Sequence, residues 1–245
     1  MHKRIKFLGR IMLDALYPPA CAICGKPLDR RKTPGLPPGV HDACFATTIP
    51  VTGTACVKCG KPSADDEVYC KDCIKADHTF TQSVAAFEVT PELQDALYRF
   101  KYKNKREYAP FFAHSIYLAH KDLLRFLRPE LIIPTPMYYK KEHARGYNQA
   151  ALIARELGKF LGIPVDTDLL ERTKKTAPLK DCCAARRREI LSGVFSLTKK
   201  LNARRVLVVD DIYTTGATLD ACAAALKEGG AGEVYGAHVC VGAGI

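Results

Sequence analysis

The stretch Val206-Leu207-Val208-Val209-Asp210-Asp211-Ile212-Tyr213-Thr214-Thr215-Gly216-Ala217-Thr218 constrains the fold of this chain more than any other. Four consecutive apolar residues without polar alternation read as a strand covered on both faces, as in a parallel sheet flanked by helices. The Ala- and Leu-rich segment from Leu219 to Lys227 reads as a helix, so strand, acids, turn and helix follow in that order. Such a turn opens at the C-terminal edge of a sheet, where open α/β folds bind their ligands. Thr214, Thr215, Gly216, Ala217 and Thr218 place backbone N–H groups and hydroxyls at a helix N-terminus, a geometry suited to phosphate. Gly216 allows close approach, and the Lys of a Walker-type loop is absent. Asp210 and Asp211 would repel a phosphate at short range, but they can accept hydrogen bonds from a pair of sugar hydroxyls. A phosphorylated ribose meets both requirements. The alternatives are a buried strand and N-cap without a ligand, or an Asp pair serving Mg2+ or phosphoryl chemistry.

The pattern resembles the phosphoribosyl pyrophosphate (PRPP) signature of the type I phosphoribosyltransferases. That resemblance implies that Asp210 and Asp211 hold the ribose 2′- and 3′-hydroxyls and that the loop from Thr214 to Thr218 holds the 5′-phosphate.

A chain of 245 residues, 47% hydrophobic, can build two modest domains or one large one. Its formal charge of +11 favours polyanions or an anionic small substrate. No run approaches the length of a membrane span. The basic N-terminus lacks the apolar core and cleavage site of a secretory signal. Ile5, Leu8, Met12, Ala15 and Leu16 fall instead on one helical face, and cytoplasmic residence is the default expectation.

Seven of the eleven Cys lie between Cys21 and Cys73. Cys21 and Cys24 enclose two residues, as do His41 and Cys44, Cys56 and Cys59, and Cys70 and Cys73; sixteen residues separate the first two pairs and ten the last two. Each pair can form one edge of a tetrahedral Zn2+ site, so the eight residues predict two structural zincs. Cys-Gly-Lys-Pro occurs twice, ending at Pro27 and Pro62, which points to an internal repeat. Disulfides are disfavoured in a reducing compartment, while interleaved sharing of the pairs stays open. Seven thiolates and two Zn2+ lower the formal charge from +11 to +8, still basic. Metal binding would supply the folding energy that so short a segment cannot draw from its own core. The boundary falls where the composition changes, giving residues 1–80 to an N-terminal helix and the ribbons and 81–245 to the α/β domain.

Ser83 to Val89 reads as a strand, and Thr90-Pro91 opens a helix that turns Leu93, Leu97 and Phe100 inward. Its basic end offers Lys101 or Lys103 to a pyrophosphate. Glu107 to Leu127 reads as a helix and Leu131 to Pro134 as a short buried strand. Pro134 to Gly146 reads as a loop, with Asn148 opening the next helix and Arg145 presenting a fork for phosphate. Val234 to Val241 is the final strand; Cys222 and Cys240 are core residues, and Cys182 and Cys183 free thiols. His114, His120 and His143 form no catalytic spacing.

Leu97-x-x-Phe100-Lys101-Tyr102-Lys103, the run from Pro134-Thr135-Pro136 to Arg145-Gly146-Tyr147-Asn148-Gln149, the Arg186-Arg187-Arg188 cluster leading to Gly193-Val194-Phe195, and the ribbon pairs together resemble the ComF family. These are competence-associated, phosphoribosyltransferase-like proteins of bacteria. The resemblance implies a type I phosphoribosyltransferase fold of the α/β class with an N-terminal double zinc-ribbon domain. It also implies PRPP with Mg2+ as ligand, single-stranded DNA as a partner in uptake, and contact with a competence helicase or other uptake proteins. The family usually carries Cys in place of His41, and a Gln-Thr-Gly-like stretch where this chain has Leu179 to Cys183.

Two functions follow. In a phosphoribosyltransferase, Asp210 and Asp211 orient the ribose, and Arg145 with Lys101 or Lys103 takes the pyrophosphate. Catalysis then rests on positioning and leaving-group neutralisation, since no general base stands out. In a nucleic-acid-binding protein of DNA import, the basic clusters at Arg186–Arg188 and Lys199–Arg205 take phosphates. Tyr102, Tyr138 and Tyr139 would stack on bases.

Overall fold

The computed structural model of the chain describes residues 18–28, 34–51, 53–63, 67–176 and 184–242. The expected N-terminal helix and the Leu179–Cys183 segment lie outside them.

Local chemistry sets most element ends. The ribbon region holds α1 (Asp42–Phe45), β1 (Ile49–Pro50) and α2 (Lys71–Lys75), followed by β2 (Gln82–Glu88). Helix α3 (Pro91–Tyr102) starts as expected: the Thr90 hydroxyl accepts from the Leu93 N–H at 3.3 Å and Pro91 occupies the first turn. A 3-10 turn (Arg106–Tyr108) leads into α4 (Ala109–Leu127), then β3 (Leu131–Pro134). The expected loop after β3 contains a helix, α5 (Tyr139–Arg145), closed by Gly146 at φ 81°. Asn148 caps α6 (Gln149–Leu161) by accepting from the N–H groups of Ala150 and Ala151 at 2.9 and 3.4 Å. Then come β4 (Leu170–Arg172), α7 (Ala184–Leu191), β5 (Phe195–Leu197), β6 (Arg205–Tyr213), α8 (Ala217–Glu228) and β7 (Glu233–Val241). Strand β6 is longer than the apolar run: both acids lie within it rather than in the turn.

The main sheet has the order β1-β2-β7-β6-β3; β1 is antiparallel to β2, and all other pairs are parallel. Helices cover both faces, which explains the unbroken apolar run in β6. Leu207 and Val209 pack with α3, α4 and α6 on one face, Val206 and Val208 with α8 on the other. The chain leaving β3 goes to the first face and the chain leaving β6 to the second. A crevice therefore opens between Pro134 and Asp210, the switch point at which such sheets take ligands. Strands β4 and β5 form a separate antiparallel pair.

The ribbons straddle the edge of the sheet formed by β1 and β2. Cys21, Ala22 and Ile23 join the core beneath α3, whereas Cys56, Cys59 and Cys70 join the core beneath α8. Arg99 of α3 donates to the carbonyls of Ala22 and Ile23. The Lys58 carbonyl accepts from the Ser83 N–H at 2.8 Å. A Cβ at Gly60, whose φ is 73°, would lie 2.9 Å from the Ser83 carbonyl oxygen, so only glycine permits this approach.

Candidate functional site at the sheet switch point

Successive residues of a strand face opposite sides of a sheet, and the two acids diverge accordingly. Asp211, only 6% exposed, pairs with Lys101 Nζ at 2.9 Å on the α3 side. Burial opposes the Lys101 charge, but the Asp211 carboxylate outweighs it and raises the ammonium pKa. Asp210 faces Thr135 and the α8 side. Part of its surface reaches solvent, yet desolvation of the carboxyl and the Asp211 charge raise its pKa to about 7, against the opposing pull of the Asp211 N–H, Lys101 and Thr135. Its Oδ1 accepts from the Asp211 N–H at 2.8 Å.

Thr214, Thr215 and Gly216 turn the chain from β6 into α8. Gly216 holds the N-cap at φ 79° and offers no side-chain cap. The first N–H groups of a helix have no intrahelical acceptor, so those of Ala217 and Thr218 point out of the helix start. Across the crevice, Asn148 Nδ2 donates to the Thr135 carbonyl at 3.0 Å and ties the end of β3 to α6. Arg145 lies with its guanidinium 5.0 Å from the centre of the Tyr102 ring and donates to Gln149 Oε1. Lys103 caps the C-terminus of α3 and is exposed. The structure thus gathers Asp210, Asp211 and Lys101 closely, places Arg145 against the same end of α3, and leaves Lys103 outside the ion pair.

The eight ribbon residues form two clusters, Cys21/Cys24/His41/Cys44 and Cys56/Cys59/Cys70/Cys73, each with its ligand atoms within 4.8 Å of one another. Pairing is sequential, which excludes interleaving. The repeat holds in the backbone: Gly25 and Gly60 donate to the carbonyls of Cys21 and Cys56 at 2.8 Å, and both have φ 73°. His41 Nε2 meets the Pro27 carbonyl at 3.0 Å, while Nδ1 lies 3.5 Å from Cys24 Sγ and 3.8 Å from Cys44 Sγ. A proton on Nε2 leaves Nδ1 free as a metal ligand, an outer hydrogen bond typical of zinc-bound His. At Cys21 and Cys56 burial opposes ionisation, but backbone N–H groups prevail and lower each pKa to about 7. Burial and neighbouring thiols push Cys44 and Cys59 up to about 12. A divalent cation removes that conflict, and both donor sets fit structural Zn2+ with no open ligand position.

Residues 12–74 match the double zinc ribbon domain and residues 144–243 the phosphoribosyl transferase domain. Competence protein F of Haemophilus influenzae is 33% identical over 185 residues, covering 73% of this chain and 81% of that protein. The chain belongs to the competence protein F, or ComF, family. Other relatives of this ComF-family chain carry related names. DNA utilization protein YhgH of Escherichia coli is 26% identical, covering 89% of this chain and 94% of its own. Competence protein ComFC of Bacillus subtilis is 27% identical, covering 77% and 78%.

Beside the crevice the ComF-family fold leaves a cavity of about 810 Å3 between α6 and the β4–β5 pair, walled by Pro136, Met137, Tyr147, Asn148 and Arg172. Arg172 was not foreseen. Burial lowers its pKa, with the attraction of the Asp210 carboxylate acting against this, and its guanidinium rests 5.8 Å from the Phe195 ring centre. Its strand spans three residues, too short for a periodicity to mark it. The Lys199–Arg205 cluster lies by the N-terminal end of β6, opposite the crevice. Lys199 pairs there with Asp166 at 2.8 Å and Arg205 with Glu130 at 2.6 Å, which reduces its free positive charge. Among the described residues no helix is long and apolar enough to cross a membrane.

Proposed function

We propose that this protein binds PRPP with Mg2+ in the crevice between β3 and β6 and acts in DNA import during competence by holding single-stranded DNA on the cytoplasmic side. The observation that carries the ligand reading is the juxtaposition of a helix start at Gly216 without a side-chain cap with two carboxylates and a half-buried ammonium at one switch point. The 5′-phosphate takes the N–H groups from Thr215 to Thr218, and the ribose hydroxyls take Asp210 and Asp211. Lys101 passes from Asp211 to the pyrophosphate, with Arg145 beside it. Asp210 and Asp211 would also hold Mg2+ bound with the pyrophosphate, and the ion would supply neutralisation of leaving-group charge. If an acceptor enters, the cavity walled by Arg172 and Tyr147 receives it, and displacement at the anomeric carbon is favoured by positioning and charge neutralisation.

The DNA reading is supported by three exposed tyrosines, Tyr98, Tyr102 and Tyr139, and the half-buried Tyr138, interleaved with cations. The ring centres of Tyr98 and Tyr102 lie 5.0 Å apart and those of Tyr138 and Tyr139 4.8 Å apart, each pair tilted, with Arg145 over Tyr102 and Lys140 beside Tyr139. Such rings accept bases without sequence preference.

Calorimetric titration of the zinc-loaded protein with PRPP and Mg2+ tests the site. Saturable binding lost in an Asp210→Asn/Asp211→Asn double variant is expected; no binding by folded wild-type protein would overturn the reading. Transformation assays with that variant test the link to competence, and normal transformation would sever it. A second reading, a transferase of nucleotide metabolism with no role in DNA uptake, is favoured if PRPP turnover with a nucleobase is found while single-stranded DNA shows no salt-dependent binding.

A further inference from the structure

The second ribbon reaches the helix start at Gly216 through the segment that follows it. His78 is buried, its side chain 1% exposed, and its Nδ1 lies 2.7 Å from Asp220 Oδ2. The Thr79 N–H donates to the other oxygen, Oδ1, at 2.8 Å. Asp220 belongs to the first turn of α8, so both bonds fasten the exit of the ribbon to the helix whose N-terminus forms the loop. The turn itself is seated on the same groups. A Cβ at Gly216 would fall 2.5 Å from the Tyr213 hydroxyl and 2.9 Å from His78 Cε1. Tyr213 packs edge-on against Phe80 at 6.2 Å, and Lys61 of the ribbon lies 6.0 Å from its ring centre. Lys61 is held by Asp72 at 2.7 Å, next to the ligand Cys73. Cys56, Cys59, Cys70, Phe80, Tyr213 and Ala217 share one core.

We propose that His78 and Tyr213 are positioning residues through which metal in the Cys56/Cys59/Cys70/Cys73 cluster and a phosphate monoester in the Thr214–Thr218 loop stabilise each other. The inference rests on the reading of that loop as a phosphate site and adds a partner to it: the ribbon is part of the ligand site. Without metal, four close thiols no longer fix the knuckles, and the seat under Gly216 loosens. With phosphate bound, the ordered loop holds His78 and Tyr213 in the arrangement the closed cluster requires. Linkage makes the effect reciprocal and equal in both directions.

Cobalt(II) in place of zinc distinguishes the clusters, because four thiolates and three thiolates plus imidazole give different ligand-field spectra. The full chain loaded with cobalt is titrated to equilibrium with a competing chelator, with and without saturating ribose 5-phosphate, whose own binding is followed by calorimetry. The phosphate is expected to raise the metal affinity of the four-cysteine cluster by about five-fold or more. His78→Ala should remove that effect and weaken ribose 5-phosphate equally. His78→Asn, whose amide can replace Nδ1 as donor to Asp220, should restore both. Ribose 5-phosphate binding to wild-type protein with unchanged metal affinity would overturn the coupling while leaving the loop reading intact, and this arm needs no variant. Absence of binding by both ribose 5-phosphate and PRPP would sink the loop reading and the inference with it.

Discussion

Replacing Asp210 by Asn should stabilise the free protein while abolishing its ligand binding. In the unfolded chain the Asp210 carboxyl ionises near 3.8, but in the fold burial and the neighbouring Asp211 charge raise that value to about 7. The folded state therefore holds this proton more tightly, and stability falls as pH rises from the lower value through the upper one. One pKa unit corresponds to about 1.4 kcal/mol, so the cost is about 3 kcal/mol near pH 6 and about 4 kcal/mol near pH 8.5. Both figures are upper bounds, because part of the Asp210 surface stays in water. An amide of the same shape carries no charge and escapes the cost at either pH. Scanning calorimetry of both proteins should show a higher Tm for the variant, with the gap widening by up to about 1.4 kcal/mol between these pH values, or several degrees for a chain of this size. A variant less stable than wild type at the higher pH, or a gap independent of pH, would refute the reasoning. Because sugar hydroxyls donate to the ionised carboxylate, PRPP binding near neutral pH should also release protons, read as a dependence of the calorimetric heat on buffer ionisation enthalpy.

Lys101→Met removes the partner of a buried carboxylate at 2.9 Å and should cost about 3 kcal/mol in denaturant unfolding at neutral pH; an unchanged midpoint would mean that water already screens the pair. His41→Ala should lower the zinc content seen by native mass spectrometry from two ions per chain to one, while His41→Cys keeps both; two ions bound by the Ala variant would disprove the ligand role. Of the two clusters, the second, with Cys56, Cys59 and Cys70 all buried, should lose its metal to a chelator more slowly, and equal rates would count against burial as the controlling factor. Tyr102→Ala and Tyr139→Ala should each weaken single-stranded DNA binding by about 1–3 kcal/mol without changing its salt slope; unaltered affinity would remove these rings from the DNA path.

Features written in adjacent residues were legible in the chain. Thr90-Pro91 and Asn148 mark helix starts because a cap is a bond to an N–H two or three residues away. Helix α5 was hidden because Pro134, Pro136 and Gly146 signal a loop, although Gly146 in fact terminates the helix. Strands β1, β4 and β5 span two or three residues each, too few for a period of two to stand out.

The sequence by itself determined the strand-turn-helix order around Asp210 and Asp211, the eight ribbon ligands and the α/β class, since each rests on spacing or patterning within one short segment, whereas the structure decided which ligand pairs share a cluster. Only the tertiary structure decided that Lys101 neutralises Asp211, that Arg172 stands near Asp210, and that the ribbons grip opposite faces of the sheet edge. It alone brought His78 to Asp220 across 142 residues. These are consequences of parallel strand order and of which surfaces are buried together, and no local pattern encodes which distant side chain will share a desolvated pocket with a given charge.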